Sequence, residues 1–265
     1  MLRIKALHHI FNPGDVNEVY ALRDIHLALS PGQFVTVIGS NGAGKSSLFN
    51  VIAGVYPPTQ GHILIDGQDV TQSPEHQRGA LVGRVFQDPL LGTAASMTIA
   101  QNLTLALLRG QRTRLRSGVT KARKQMFREA LTPLHLGLED RLDTRVSLLS
   151  GGQRQALTLL MATLIRPKIL LLDEHAAALD PGTAQKILAL TSDLVGEQQL
   201  TTLMITHNMQ HALTYGDRTL MMDNGRIILD LSAAEKEGLT VQDLIDMFGQ
   251  VRHKQLLDDN VLLAS

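Results

Sequence analysis

Residues Gly39-Ser40-Asn41-Gly42-Ala43-Gly44-Lys45-Ser46 fit the spacing G-x-x-x-x-G-K-[ST]. Each position in that pattern has a physical task. Glycines let the backbone wrap closely around phosphates, amides and a helix start face the anion, Lys45 reaches the β and γ oxygens, and the Ser46 hydroxyl ligates Mg²⁺. The bare pattern arises by chance in roughly 1% of chains this long, and its plain alternative is a glycine-rich turn. Its position decides in favour of nucleotide binding, because it lies where a strand gives way to a helix. A second group, Asp173-Glu174, follows the apolar run Ile169-Leu170-Leu171-Leu172. Two carboxylates at the C-terminal end of a buried strand sit on the ligand rim of a parallel sheet. Asp173 suits a hold on Mg²⁺, and Glu174 suits a base that orients or deprotonates an attacking water. Alone, an Asp-Glu pair is more often a solvated turn; beside a phosphate loop that reading loses ground. A third group, Leu149-Ser150-Gly151-Gly152-Gln153, opens a helical run and presents a hydroxyl and bare amides to an anion. It also reads as an ordinary N-cap, but that leaves a second anion-binding helix start unexplained and invites sharing of sites between subunits.

These groups need elements to carry them. Phe34 to Ile38 is a short β-rich run that closes an apolar/polar alternation over residues 2–38, and Leu48, Phe49, Ile52 and Ala53 then fall at helical spacing until Gly54. Strands are expected at Gly61–Ile65, Ile169–Leu172 and Leu203–Ile205. Helices are expected at Ile99–Leu108, Ala122–Leu131, Gln153–Leu164 and Thr183–Leu194. Alternating strand and helix argues a parallel sheet covered on both faces. Thr219–Met222 and Ile227–Leu229, joined by Asp223-Asn224-Gly225-Arg226, read as a hairpin, and Thr240 with Asp243 caps a last short helix.

Composition narrows the function. The 265 residues carry 25 Lys+Arg and 25 Asp+Glu, aromatics are 3%, and there is no Trp. Without net positive charge or stacking side chains, no nucleic-acid partner is expected. A chain of this size buries roughly 70–75% of its unfolded surface. Having no cysteine, it has no disulfide and no thiolate metal site, and His8, His9 and His175 lack the spacing of a zinc set. No stretch reaches the roughly 18 uncharged apolar residues that cross a bilayer, and the charged N-terminus predicts an unexported chain.

In order and separation, Gly39–Ser46, Leu149–Gln153 and Ile169–Glu174 resemble the ATP-binding subunit of an ATP-binding-cassette (ABC) transporter over nearly the whole chain, the Leu-Ser-Gly-Gly-Gln signature being the most specific element. The resemblance implies an α/β fold: a P-loop NTPase (RecA-like) core with an antiparallel β subdomain and a small α-helical subdomain. It implies one domain over 1–248, with the core at about 1–88 and 159–248, the helical subdomain at about 89–158, and a tail at 249–265. It also implies ATP and Mg²⁺ as cofactors. Gly39 through Ser47 and the signature residues Ser150, Gly151, Gly152 and Gln153 would bind nucleotide. Ser46, Gln87 and Asp173 would hold the metal, and Glu174, His207 and Gln87 would serve catalysis. Asp180, after Ala178-Leu179, matches the acid of the loop that meets the partner subunit. Phe11, with Tyr20 as second choice, matches the ring stacked on adenine. Ser47 stands where Thr is frequent, and His175-Ala176-Ala177 replaces the usual residues after the base.

The implied partners are a second copy sandwiching two ATP molecules, an integral membrane permease and, indirectly, an extracytoplasmic solute-binding protein. The implied place is the cytoplasmic face of the inner membrane. Asn12-Pro13-Gly14 and Tyr215-Gly216-Asp217-Arg218 resemble cassettes of amino-acid uptake systems, tryptophan or tyrosine systems among them. Non-transport members of the family are the alternative, but chromosome-type members need a long coiled-coil insertion and ribosome-type members usually two cassettes. A P-loop kinase or GTPase leaves the signature without a task. Lastly, Arg109, Arg112, Arg114, Arg116, Lys121, Arg123, Lys124 and Arg128 run without an acid; the run is expected either to be a solvated face or to help hold the subunit at an anionic membrane surface.

Overall fold

The computed structural model describes residues 1–111 and 118–251. Two sheets carry the chain. In the first, β1 (Leu2–Phe11) and β2 (Val19–Leu29) alternate buried and exposed positions and pair antiparallel, with β4 (Gln60–Ile65) and β5 (Gln68–Asp69) completing the order β2-β1-β4-β5. One apolar face is enough for such a sheet, which explains the alternation.

The second sheet has the order β10-β9-β3-β8-β7-β6, from β3 (Phe34–Gly39), β6 (Val82–Val85), β7 (Ile169–Asp173), β8 (Thr202–Ile205), β9 (Arg218–Asp223) and β10 (Arg226–Leu231). All neighbours run parallel except β9 and β10, the expected hairpin. Helices cover both faces, so β3, β7 and β8 are buried almost throughout and mostly apolar rather than alternating.

The helices are α1 (Lys45–Ala53), α2 (Glu75–Arg78), α3 (Ile99–Leu107), α4 (Lys121–Leu131), α5 (Gly151–Thr163), α6 (Pro181–Glu197), α7 (Met209–Thr214), α8 (Ala233–Lys236) and α9 (241–251). Helix α9 is longer than the short helix expected, though Thr240 and Asp243 do cap it reciprocally. Helices α3, α4 and α5 share their own apolar cluster around Leu103, Phe127, Leu138 and Leu157. Helix α5 runs unbroken across residues 158–159. Strand β6, its four residues interrupted by Gly83 and Arg84, and helices α2, α7 and α8, at four to six residues too short to show a helical period, are not legible in the sequence.

Candidate nucleotide site

Parallel register brings the chemistry to one edge. Asp173 pairs with Ile205, Val37 with Ile205 and Val85 with Leu172. The segments leaving β3, β8, β7 and β6 therefore emerge side by side, carrying the phosphate loop, His207, Asp173-Glu174 and Gln87. This is the rim where parallel sheets bind ligands.

The loop from β3 into α1 depends on Gly44, the N-cap of α1. Its φ is +97°, and a Cβ there would lie 2.5 Å from the Ala21 carbonyl oxygen, so only glycine fits. Lys45 is buried and its Nζ donates to the Gly39 and Ser40 carbonyls at 2.7 and 2.9 Å. Burial lowers the Lys45 pKa, while the charges of Glu174 and Asp173 act to raise it. The β9–β10 turn braces the loop from outside the motif. The buried Asp223 accepts from Ser40 Oγ at 3.1 Å, and the Gly225 amide donates to the Ala43 carbonyl at 3.1 Å.

Glu174 has φ +45°, an uncommon conformation for a side-chain-bearing residue and one that clusters at functional sites. Its amide donates to the Ile205 carbonyl at 3.1 Å. His207 Nδ1 lies 3.2 Å from Glu174 Oε2, a geometry that selects the tautomer with Nδ1–H donating to the carboxylate. Burial raises the Asp173 pKa, and the Arg84 guanidinium works against that rise. Gln87 is exposed just beyond β6. His175, next to Glu174, is fully enclosed on Thr191 Oγ1 at 2.9 Å, and burial drives its pKa down to about 4.

In the structure the signature is an N-cap, and the cap does not use up its hydroxyl. Ser150 is the N-cap of α5 in a reciprocal box with Gln153, its Oγ accepting from the Gln153 amide at 3.2 Å. That bond uses an acceptor lone pair and leaves the hydroxyl proton available to an anion. A Cβ on Gly152 would stand 2.4 Å from Thr183 Cγ2, and the Thr183 amide donates to Asp180 Oδ1 at 3.0 Å. Signature and Asp180 thus lie on two packed helix starts.

Phe11, half-buried at the end of β1, packs edge-on against His9 and Tyr56, with ring centroids 4.6 and 5.3 Å away. Tyr20 is exposed under the Arg23 guanidinium, 4.9 Å from its ring centroid, and is chain neighbour to Ala21, which abuts Gly44. Both rings remain candidates. The basic run does not behave as one face. Arg109 points inward, donating to the Ala162 and Ile165 carbonyls at 3.1 and 2.9 Å, and Lys124 pairs with Asp143 at 2.7 Å. Arg112, Arg114 and Arg116 lie outside the described residues, as does the tail beyond residue 251.

Sequence reasoning missed Arg84, Asn50 and Asp223. A charge inside the apolar strand Val82-Gly83-Arg84-Val85 was the available signal, since arginine is almost never buried without a partner.

Comparisons with known proteins place the chain in a family. A family model described as ABC transporter matches residues 22–177, more than half of the chain. A tyrosine transport ATP-binding protein of Clostridioides difficile is 44% identical over 250 residues, 94% of this chain and 98% of that one. A thiamine import ATP-binding protein of Yersinia pseudotuberculosis is 37% identical over 84% of this chain and 92% of its own. Among solved structures, cbiO1 of Clostridium perfringens, part of an ABC transporter complex, superposes with a TM-score of 0.75 at 26% identity, covering 97% of this chain and 98% of that one. A dimeric ATP-binding cassette in a post-hydrolysis state with ADP and Pi gives 0.74 at 27% identity, over 88% and 99% of the two chains.

Proposed function

The chain belongs to the ABC transporter family as an ATP-binding, ATP-hydrolysing subunit, and from that premise we propose that two copies close on two ATP molecules to drive uptake of a small solute such as an amino acid through a separate membrane permease. One observation carries the chemistry: Lys45, Asp173 and the Glu174–His207 pair stand on one sheet edge beside the phosphate loop. In this reading residues 39–47 cradle the phosphates, with Lys45 turning from the Gly39 and Ser40 carbonyls to the β and γ oxygens. Ser46, Gln87 and Asp173 offer hydroxyl, amide and carboxylate oxygens, the hard donors that Mg²⁺ takes. The ion would supply charge neutralisation on the γ-phosphate. Glu174 orients the water and accepts its proton, while the water oxygen attacks the γ phosphorus and the bond to the β–γ bridging oxygen breaks, giving ADP and phosphate. His207 keeps the Glu174 carboxylate aimed. Ser150, Gly151 and Gly152, with Gln153 holding the cap, face the phosphates bound by the other copy, and Asp180 lies at the same junction. Phe11 is the first choice for the adenine platform.

The permease reading is supported by an exposed apolar strip. Leu90, Leu91 and Met97 follow Gln87, Leu148 precedes the signature, and Leu91 and Leu148 are each 70% exposed. Their segments are tied by Ser147 N–Ala95 O and Val146 N–Met97 O bonds of 2.9 and 3.0 Å. Among the described residues no helix is long and apolar enough to cross a membrane; the proposed place, peripheral on the cytoplasmic face of the inner membrane, is supported by the transport ATP-binding relative. The tyrosine-transport relative supports an amino acid as the solute, and delivery by an extracytoplasmic binding protein is a further part of the proposal. The domain division is part of the same proposal: one cassette over 1–248, with a helical subdomain at about 89–158.

Co-expression with a candidate multi-spanning permease tests this reading. The two should co-purify, and reconstituted vesicles should take up labelled amino acid with ATP, the uptake vanishing in Glu174→Gln. Association with ribosomes or chromosomal DNA instead, and no membrane partner, would overturn it.

A further inference from the structure

Strand β6 carries one charge, Arg84, between buried Gly83 and Val85. Its guanidinium reaches three places at once. Nη1 donates to Asn50 Oδ1 at 2.7 Å, Nη2 donates to Asp173 Oδ2 at 3.3 Å, and Cζ stands 4.5 Å from the centroid of the Phe86 ring. The ion pair is largely enclosed, its side chains 13% and 16% exposed. Each contact belongs to an element that carries one of the three oxygen donors assigned above to Mg²⁺. Asn50 is one helical turn after Ser46 on α1, Asp173 is itself a donor, and Phe86 immediately precedes Gln87.

We propose that Arg84 is the positioning residue of the metal site, fixing the Ser46 helix, the Asp173 carboxylate and the Gln87 segment relative to one another. The proposal rests on the ligand reading given under Proposed function. A planar guanidinium can address two acceptors in fixed directions and stack on a ring, which a lysine ammonium cannot do. Stability gives a weaker reason for the residue, since a buried ion pair is often matched by well-packed apolar side chains.

The sign of the effect on metal affinity separates positioning from competition. A guanidinium that only competed with the cation for Asp173 would, once removed, leave the metal bound more tightly. One that aims the carboxylate would leave it bound more weakly, typically by 10–100-fold when a hydrogen bond to a ligating carboxylate is lost.

The test uses the full chain with ATP and Mn²⁺ as a paramagnetic probe, titrated by electron paramagnetic resonance, alongside ATP binding in EDTA. Arg84→Met should weaken Mn²⁺ binding about tenfold, with ATP binding in EDTA within about twofold of wild type. Arg84→Lys should recover part of the loss. Unchanged or tighter Mn²⁺ binding in Arg84→Met overturns the proposal, as does an equal loss of metal-free ATP binding, which would make Arg84 a brace of the fold. If Arg84→Met does not fold, Arg84→Lys and Asn50→Ala decide: a several-fold weakening in both supports positioning, and wild-type affinity in both overturns it. Asp173→Asn identifies the level of failure. If it keeps wild-type Mn²⁺ affinity, the ligand reading falls and this proposal with it; if it weakens binding while Arg84→Met does not, only the proposal falls.

Discussion

Lys45 is the side chain on which the phosphate loop depends most directly, since a buried ammonium held only by carbonyls is poised for stronger acceptors. Lys45→Ala should therefore abolish turnover and most ATP affinity; a fluorescent ATP analogue and a phosphate-release assay measure both, and near-normal hydrolysis would contradict its role. Glu174→Gln keeps the shape that meets His207 and, on the proposed mechanism, removes the base. That variant should bind Mg-ATP, stay dimeric by light scattering and release almost no phosphate. His175 makes a separate prediction in pH. Its folded pKa is about 4 against 6.5 for the ordinary side chain, so the unfolded chain takes up a proton first as pH falls. The stability tied to neutral His175 is complete above about pH 6.5 and drains toward pH 4. Between pH 7.5 and 4.5 the wild type should lose about 2–3 kcal/mol more than His175→Gln in denaturant unfolding. Parallel losses in the two proteins would show that His175 does not titrate this way.

At the scale of elements, what was legible in the sequence was what periodicity or capping announces. Strand β7 is an unbroken apolar run up to Asp173, β3 is apolar but for Thr36 and Gly39, and α5 has a Ser150–Gln153 box at its start, so all three were readable. Motif residues were legible as types and spacings, but their neighbours were not, because Arg84 and Asp223 reach the site through sheet order and not through sequence distance, and Asn50, one helical turn after Ser46, joins it only through Arg84. The same limit explains the basic run. Counted along the chain, Arg109 extends it; in the fold, Arg109 turns inward to the end of α5 and satisfies the Ala162 and Ile165 carbonyls. Arg109→Met should thus cost about 2–3 kcal/mol, the penalty of buried carbonyls left without a donor. Thermal unfolding would register the loss, while sedimentation with anionic liposomes should not change. A fall in liposome binding at unaltered stability would restore Arg109 to a membrane-facing run.

For the whole molecule the decisive question is which copy a signature serves. Ser150 caps α5 while Lys45 opens α1, and the two helices belong to different clusters of the core, α1 with the sheets and α5 with α3 and α4. If signatures act across an interface, each catalytic site combines one copy's phosphate loop with the other's Ser150. Ser150→Arg alone should then block hydrolysis while ATP still binds the protein's own loop, and Lys45→Ala alone should lose both. Mixing the two inactive proteins makes the argument quantitative. In a mixed dimer one composite site carries both defects and the other carries neither, so hydrolysis should reappear on mixing if the sites are loosely coupled. Random pairing makes about half of all dimers mixed, each with one intact site of two, so up to about a quarter of wild-type activity should return. Within a single chain no such rescue is possible, because every copy would hold one defect of its own. A mixture as inactive as its components, despite mixed dimers demonstrated by differential tagging, would mean either that both sites must fire together or that the signature serves its own loop. Wild-type subunits paired with Lys45→Ala subunits then separate these outcomes: retained activity in that pairing excludes obligatory coupling and leaves the same-chain reading, whereas its loss leaves the shared site standing.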